Sequence, residues 1–308
     1  MNIVEPILDS NSGYSLRLAN GQGWHVIATE GLRSWAEALA SIMELKRCDR
    51  NGCPKLIFVR HEKGKGIWEE PNDRLDPTIC EDLPRIGWKV RKFPAIQIWS
   101  HLDVPDVLCE IGHDKGYELD ILRMLLGVYP IFERAQCSGG LPLHAGLVER
   151  NGNGILLAAS GSIGKSTCCR RFRSPWKPLC DDESLVVRND RKQYQVHPFP
   201  TWSDYLMKRS KQTWNVQYHL PLSAIFFLEQ AEADEVVPMG LGEAAVYITQ
   251  SAHQVYHTNW RKLTSEDVRA LRKEIFQNSC ELAKAVDAFK LRLSLKGRFW
   301  EKIEAVLP

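Results

Sequence analysis

The chain has 308 residues, with 40 Lys+Arg against 38 Asp+Glu and a formal net charge of +2. Hydrophobic residues make up 44% and charged residues 25%, globular values that exclude a disordered, fibrous or low-complexity chain. The near-neutral balance weighs against nucleic acid as a partner, and no apolar run approaches the ~18 residues of a membrane span.

The N-terminus, MNIVEPILDSNSG, lacks a basic segment and meets Glu5 and Asp9 early, so no signal peptide is expected. Nine cysteines, an odd number without a CxxC pair, read as reduced thiols of a cytoplasmic protein and weigh against a zinc or iron–sulfur site. Strands are predicted at Tyr14–Ala19 and Trp24–Ala28, with Asn20-Gly21 as the turn. Leu32, Trp35, Ala36, Leu39, Ile42 and Met43 recur at helical spacing. A strand follows at Lys55–Arg60, then a long Gly/Pro/acid-rich loop over residues 61–84, then strands at Gly87–Phe93 and Ala95–Ser100. A helix is predicted from Tyr117 to Val128, stopping near Pro130.

The composition changes at Cys137–Pro142, where a boundary is expected between an N-terminal α/β domain, residues 1–136, and a second domain, residues 137–308. In the second domain strands are expected at Leu143–Glu149 and Ile155–Ala159 around the Asn151–Gly154 turn. Ser184–Arg188 and Gln193–Phe199 read as a hairpin, and Ala224–Leu228 as a buried strand. Helices are expected at Leu241–Tyr256 and from about Ser265 to Val286, the latter capped by Thr264 or Ser265. The alternation of Phe289, Leu291, Leu293 and Leu295 is a strand signal, and a last helix covers Phe299–Leu307.

The most informative stretch is Ala159-Ser160-Gly161-Ser162-Ile163-Gly164-Lys165-Ser166-Thr167. It is the phosphate-binding loop pattern with Ala at its first position, preceded by an apolar strand and opening a helix. Small residues let successive backbone N–H groups turn toward a phosphate. Lys165 can reach the terminal phosphates, and the Ser166 hydroxyl can ligate Mg²⁺. Residues Ser160 to Thr167 are therefore the expected nucleotide-binding set. Asp181 and Asp182 stand before a strand fifteen and sixteen residues after Ser166. Phosphoryl transfer wants one acid for the metal and one to accept the nucleophile's proton. His144 comes near the same place if its strand pairs with the loop's strand.

LHAGLVERNGNGILLAASGSIGKS, followed by KPLCDDESLVV, resembles the catalytic domain of HPr kinase/phosphorylase. HPFPTWSDYLMKRSKQTW and PLSAIFFLEQAEADEV resemble, more narrowly, the HPr-kinase-like proteins of peptide-modification cassettes, the nearest named family being that of the SynChlorMet cassette protein ScmC. The resemblance covers roughly residues 140–300. It implies an α/β (α+β) chain whose second domain has the phosphoenolpyruvate-carboxykinase-like P-loop fold. It implies ATP and Mg²⁺ as cofactors, with Lys165 and Ser166 on the phosphates and metal, Asp181 as proton acceptor, Asp182 supporting the metal or the same proton-accepting function, and His144 near the transferred group. It implies a peptide or small-protein substrate, with PqqD-like cassette components as further partners, and leaves a homo-oligomer open. Two departures weigh against HPr itself as acceptor and against reverse phosphorolysis. Thr167 stands where HPr kinases commonly carry Glu, and the family's glycine-rich signature is missing after the acid pair.

Other features have plainer readings. Lys208-Arg209-Ser210-Lys211 reads as a solvated basic loop between Trp202 and Trp214, with a base- or phosphate-holding role as the alternative. Arg261 is a candidate transition-state clamp, and Cys168 and Cys169 read as small buried hydrophobes. The expected activity is a Mg²⁺- and ATP-dependent Ser/Thr peptide kinase of a peptide natural-product cassette. The alternatives are a nucleotide-binding recognition subunit without transfer, and a small-molecule hydroxyl kinase.

Overall fold

A computed structural model describes residues 12–49, 52–60, 68–69, 74–75, 83–159, 164–207, 212–256 and 264–307. The chain is mixed α/β and forms two compact units, each built on a mixed sheet. The first takes Met1–Arg17, Gln22–Pro130 and Trp202–Thr213; the second takes Leu18–Gly21, Ile131–Thr201 and Trp214–Pro308. Among the described residues no helix is long and apolar enough to cross a membrane.

In the first unit, β1 (Ser12–Arg17) and β2 (Gly23–Ala28) form the expected antiparallel pair. Gly21 occupies the intervening turn with φ of +82°, a conformation glycine adopts without strain. Helix α1 (Arg33–Ile42) buries Trp35, Ala36, Leu39, Ala40 and Ile42. Strands β3 (Lys46–Asp49) and β4 (Lys55–Arg60) follow. A two-residue ladder joins β5 (Trp68–Glu69) to β6 (Arg74–Leu75) within the predicted 61–84 loop, most of which lies outside the described residues. Then come β7 (Lys89–Lys92), β8 (Ile96–Ser100), β9 (Val107–Ile111) and helix α2 (Tyr117–Gly127). The sheet order is β3-β1-β2-β4-β9-β8-β7, with β2, β4 and β9 parallel at its centre. Successive side chains of β4 face opposite sides: Ile57 and Val59 join Trp88, Trp99 and Leu108 in one core cluster, while Phe58 meets Trp35 of α1 with ring centres 4.7 Å apart.

Helical structure does not end at Pro130. A second helix, α3 (Tyr129–Cys137), starts at once, with Pro130 in its first turn, where the missing N–H has no helical partner to lose.

The second unit continues with β10 (Leu141–Leu143), β11 (Ala145–Arg150), β12 (Asn153–Ala158), α4 (Lys165–Arg171), β13 (Lys177–Cys180), β14 (Ser184–Arg188) and β15 (Tyr194–Pro198). After α5 (Trp202–Leu206), which belongs to the first unit, come β16 (Leu220–Gln230), β17 (Glu235–Pro238), α6 (Leu241–Tyr256), α7 (Ser265–Ala285), β18 (Asp287–Leu293) and α8 (Phe299–Glu304). The sheet runs β10-β14-β15-β16-β12-β11-β13, with β18 beside β16 and β17 beside β18. Its centre is parallel: β12 and β18 both pair with the eleven-residue β16. One core cluster unites Ile155 and Leu157 of β12, Phe226 of β16, Leu291 of β18, Cys168 and Cys169 of α4, and Phe299 of α8. Thr264 caps α7, its hydroxyl accepting from the Asp267 N–H.

Candidate functional site

His144, Lys165, Asp181 and Asp182 meet at one end of the second unit's sheet, and strand register brings the histidine and the acids there. β11 and β12 pair antiparallel with Ala145 opposite Ala158, which sets His144 opposite Ala159. His144 lies in the break between β10 and β11 rather than inside one continuous strand. Its backbone N–H donates to the Ser251 carbonyl of α6 at 3.2 Å, and the Ser251 hydroxyl donates to the His144 carbonyl at 3.3 Å. The helix thus holds the histidine's backbone from outside the sheet. β13 pairs with β11, Leu147 opposite Cys180, and carries the chain to Asp181 and Asp182 at the same end. Gly146 allows this: a methyl group there would stand 3.2 Å from the Cys180 carbonyl and 3.3 Å from Asp181 Cα.

Ala159 and Gly164 bracket the loop. Residues Ser160, Gly161, Ser162 and Ile163 lie outside the described residues, as do the Lys208–Lys211 run and Arg261. Gly164 precedes α4 with φ of +106°, backbone that favours glycine. Ser166 is half-buried and Thr167 exposed.

Lys165 is only 8% exposed. Its Nζ lies 2.6 Å from His144 Nε2 and donates to the Ala159 carbonyl at 3.3 Å. An ammonium has only donors, so Nε2 accepts, Nδ1 carries the ring proton, and Nδ1 faces Asp182 Oδ1 at 3.2 Å. The result is a line of acid, imidazole and amine: Asp182, His144, Lys165. Burial pushes the Lys165 ammonium below its ordinary pKa, and the charges of Asp182 and then Asp181 oppose that fall.

Asp181 has a different partner. The Thr201 hydroxyl donates to its Oδ1 at 2.7 Å. The carboxyl of Glu183 is buried and its Oε2 finds no hydrogen-bond partner among the described residues. Burial, reinforced by Asp182, pushes Glu183 well above the usual carboxylate range. Cys168, Cys169 and Cys180 are buried, and burial raises their thiols, Cys168 to about 12 and Cys180 to about 11. They are packing residues, not nucleophiles.

Among the described residues no three His, Cys, Asp or Glu side chains form a group that could hold a metal ion. The donor set still fits Mg²⁺ bound together with phosphates. Mg²⁺ commonly takes one or two carboxylates, water and substrate oxygens rather than a full protein cage. Ser166 and Asp182 would be the oxygen donors for it, and Lys165 would be the cation for the phosphates.

Motif reading finds Lys165, Ser166, His144 and the acid pair, but not Thr201, Ser251 or Glu183. Thr201 had a signal in the hairpin register. Ser184 pairs with Pro198, and the Phe199 N–H donates to the Glu183 carbonyl at 3.1 Å. Two residues further along the same register, Thr201 stands opposite Asp181. Ser251 had none, because it sits mid-helix among ordinary spacings.

No curated protein matches the chain. The family model described as SynChlorMet cassette protein ScmC matches residues 107–308, more than half of the chain and all of the site described above, and the chain belongs to that family.

Proposed function

We propose that the protein is an HPr-kinase-like, Mg²⁺- and ATP-dependent kinase that transfers the γ-phosphoryl group to a Ser or Thr hydroxyl of a peptide or small protein within a biosynthetic cassette. One observation carries this reading: a buried lysine at the first position of α4 lies in line with an imidazole and a carboxylate, while a second carboxylate stands beside them. Membership of a cassette family supports other cassette proteins as partners.

When bound, Mg²⁺ and ATP supply the phosphoryl group and neutralise its charge. Lys165 binds the terminal phosphates, exchanging the His144 imidazole for phosphate oxygens. Until then His144, held by Asp182 and by α6, keeps the lysine in place. Asp182 and Ser166 hold the metal. Asp181 orients the acceptor hydroxyl and takes its proton. The phosphoenolpyruvate-carboxykinase-like P-loop fold belongs to this same proposal, as does a division of labour in which residues 1–136 recognise the substrate or a partner and residues 137–308 carry out catalysis.

The test is intact-mass analysis of cassette peptides co-expressed with the protein. A gain of one phosphoryl group with the wild type, absent with Lys165→Ala, is the expected result. Asp181→Asn is expected to remove transfer while ATP still binds by calorimetry, and unchanged transfer in that variant would sink the mechanism. A second reading, a nucleotide-binding recognition subunit without transfer, draws on Thr167 in place of Glu and on the missing glycine-rich signature. ATP binding with no transfer to any hydroxyl would favour it. A small-molecule kinase differs only in its acceptor.

A further inference from the structure

We infer that Thr201 is a positioning residue for Asp181, fixing which carboxylate oxygen takes the acceptor's proton. The inference rests on the kinase reading above. Thr201 is 3% exposed, and its hydroxyl proton, the only one it has, is committed to Asp181 Oδ1 at 2.7 Å. The hairpin of β14 and β15 sets this geometry, since its register, carried past Ser184 and Pro198 by the Phe199–Glu183 backbone bond, brings residue 201 across from residue 181.

The two neighbouring acids are thereby told apart. Asp182 faces an imidazole that is itself in contact with Lys165, so it is tied to the cationic side of the site. Asp181 is held by a neutral hydroxyl at one oxygen, which leaves Oδ2 as the oxygen for a substrate. In the transfer step the acceptor oxygen bonds to the γ-phosphorus as its O–H bond breaks. The proton goes to Asp181 Oδ2. The bond from the γ-phosphorus to the bridging oxygen breaks, and its electron pair leaves with ADP. A carboxylate that rotates freely spends part of its time with neither oxygen aimed at the acceptor. One hydrogen bond at Oδ1 removes that freedom, and misplacement of a catalytic group by about 1 Å can cost 100-fold in rate. Thr201 does not touch the acceptor; it acts through Asp181.

The experiment compares wild type, Thr201→Val and Thr201→Ser as full-length proteins, using Mg²⁺-ATP and the cassette peptide that gains a phosphoryl group in the intact-mass assay. Three quantities are read: kcat and KM for the peptide, ATP affinity by calorimetry, and the thermal midpoint. Thr201→Val is nearly isosteric and is expected to lower kcat about 10- to 100-fold with little change in ATP affinity or midpoint. Thr201→Ser restores the hydroxyl and is expected to return kcat to within a few-fold of wild type. A wild-type kcat in Thr201→Val would overturn the inference. So would a loss of kcat that comes with lost ATP affinity and midpoint and is not rescued by Ser, because that is the behaviour of a packing residue. A wild-type protein that transfers nothing overturns the kinase reading itself, and that failure is seen in the control before any variant is compared.

Discussion

Each unit of the chain buries a cation and an acid, and treats them differently. In the first unit Arg123 has its side chain 3% exposed, yet every arm of the guanidinium is occupied: Nε donates to the Ala95 carbonyl, Nη1 to the Asp114 carbonyl and Asp120 Oδ1, and Nη2 to the Gly112 carbonyl. Glu110 of β9 is matched as well, accepting from the Trp99 indole at 3.1 Å. In the second unit Lys165 has one backbone carbonyl and an imidazole, and Glu183 Oε2 has no partner among the described residues. A buried polar group satisfied by main chain is part of the scaffold, because nothing else is needed to keep it there. One held by titratable side chains, or left unmatched, is poised for something that binds.

The largest expected effect separates the two cations. Arg123→Ala leaves buried carbonyls without donors and is expected to cost about 3–5 kcal/mol in urea unfolding. Lys165→Met removes a charge whose burial is already unfavourable, and is expected to change stability by less than about 1 kcal/mol while abolishing ATP binding. If Lys165→Met unfolds the protein as readily as Arg123→Ala does, the lysine is scaffold and the contrast is lost.

What could be read beforehand follows the same division. Lys55–Arg60 and Leu241–Tyr256 were legible to the residue because an apolar run or a helical period is itself the physical cause of the element. β3, with the sequence KRCD, was not legible: nothing in it alternates, and it is a strand because β1 offers it a partner. The same holds for β13, whose KPLC contains a proline, and for β17. The break at His144 was hidden because Leu143–Glu149 reads as one strand, and only α6, a hundred residues later, pulls the histidine's backbone aside. In the site, the motif residues were legible by type and spacing. Their supports were not, because Thr201 and Ser251 are ordinary residues given meaning by register and packing.

The next effect concerns pH. His197 of β15 is buried and neutral, with Nδ1 donating to the Val216 carbonyl at 2.8 Å and Nε2 accepting from the Ala19 N–H at 3.1 Å. Burial lowers its pKa from 6.5 to about 4. The unfolded chain therefore takes up a proton that the folded unit refuses. Stability from this residue is complete above pH 6.5 and falls through the window down to about pH 4, by about 3 kcal/mol in total. Thermal melts between pH 7 and 4.5 should show this slope, and His197→Gln, which can keep both hydrogen bonds, should flatten it. An equal slope in that variant would assign the acid sensitivity elsewhere. His197 is a scaffold group of the second unit, matched by main chain as Arg123 is.

Gly146→Ala probes the packing beneath the acids. The new methyl group would meet Cys169 Sγ at 2.9 Å besides the Cys180 and Asp181 backbone, and the strands must part to admit it. The expected loss is about 1–3 kcal/mol of stability. Because Asp181 is carried on the displaced strand end, the kinase reading expects transfer to fall further than stability does. Measuring kcat beside the urea midpoint checks this, and full activity at reduced stability would show that the acid pair tolerates displacement.

The smallest effect is a control within the second unit. Thr264 accepts from the Asp267 N–H at 3.1 Å and donates to Asp267 Oδ2 at 2.7 Å, closing the first turn of α7. Thr264→Ala opens one N–H of the helix start to water and is expected to cost about 1 kcal/mol. Thr201→Val also deletes a threonine hydroxyl bonded to an aspartate, but the two aspartates differ: Asp267 serves a helix end, and Asp181, on the kinase reading, serves the acceptor. The cap variant should therefore lower the urea midpoint and leave kcat alone, while the Thr201 variant should do the reverse. If both variants lower kcat alike, the second unit's activity tracks its stability as a whole, and the division between scaffold and site polarity fails there.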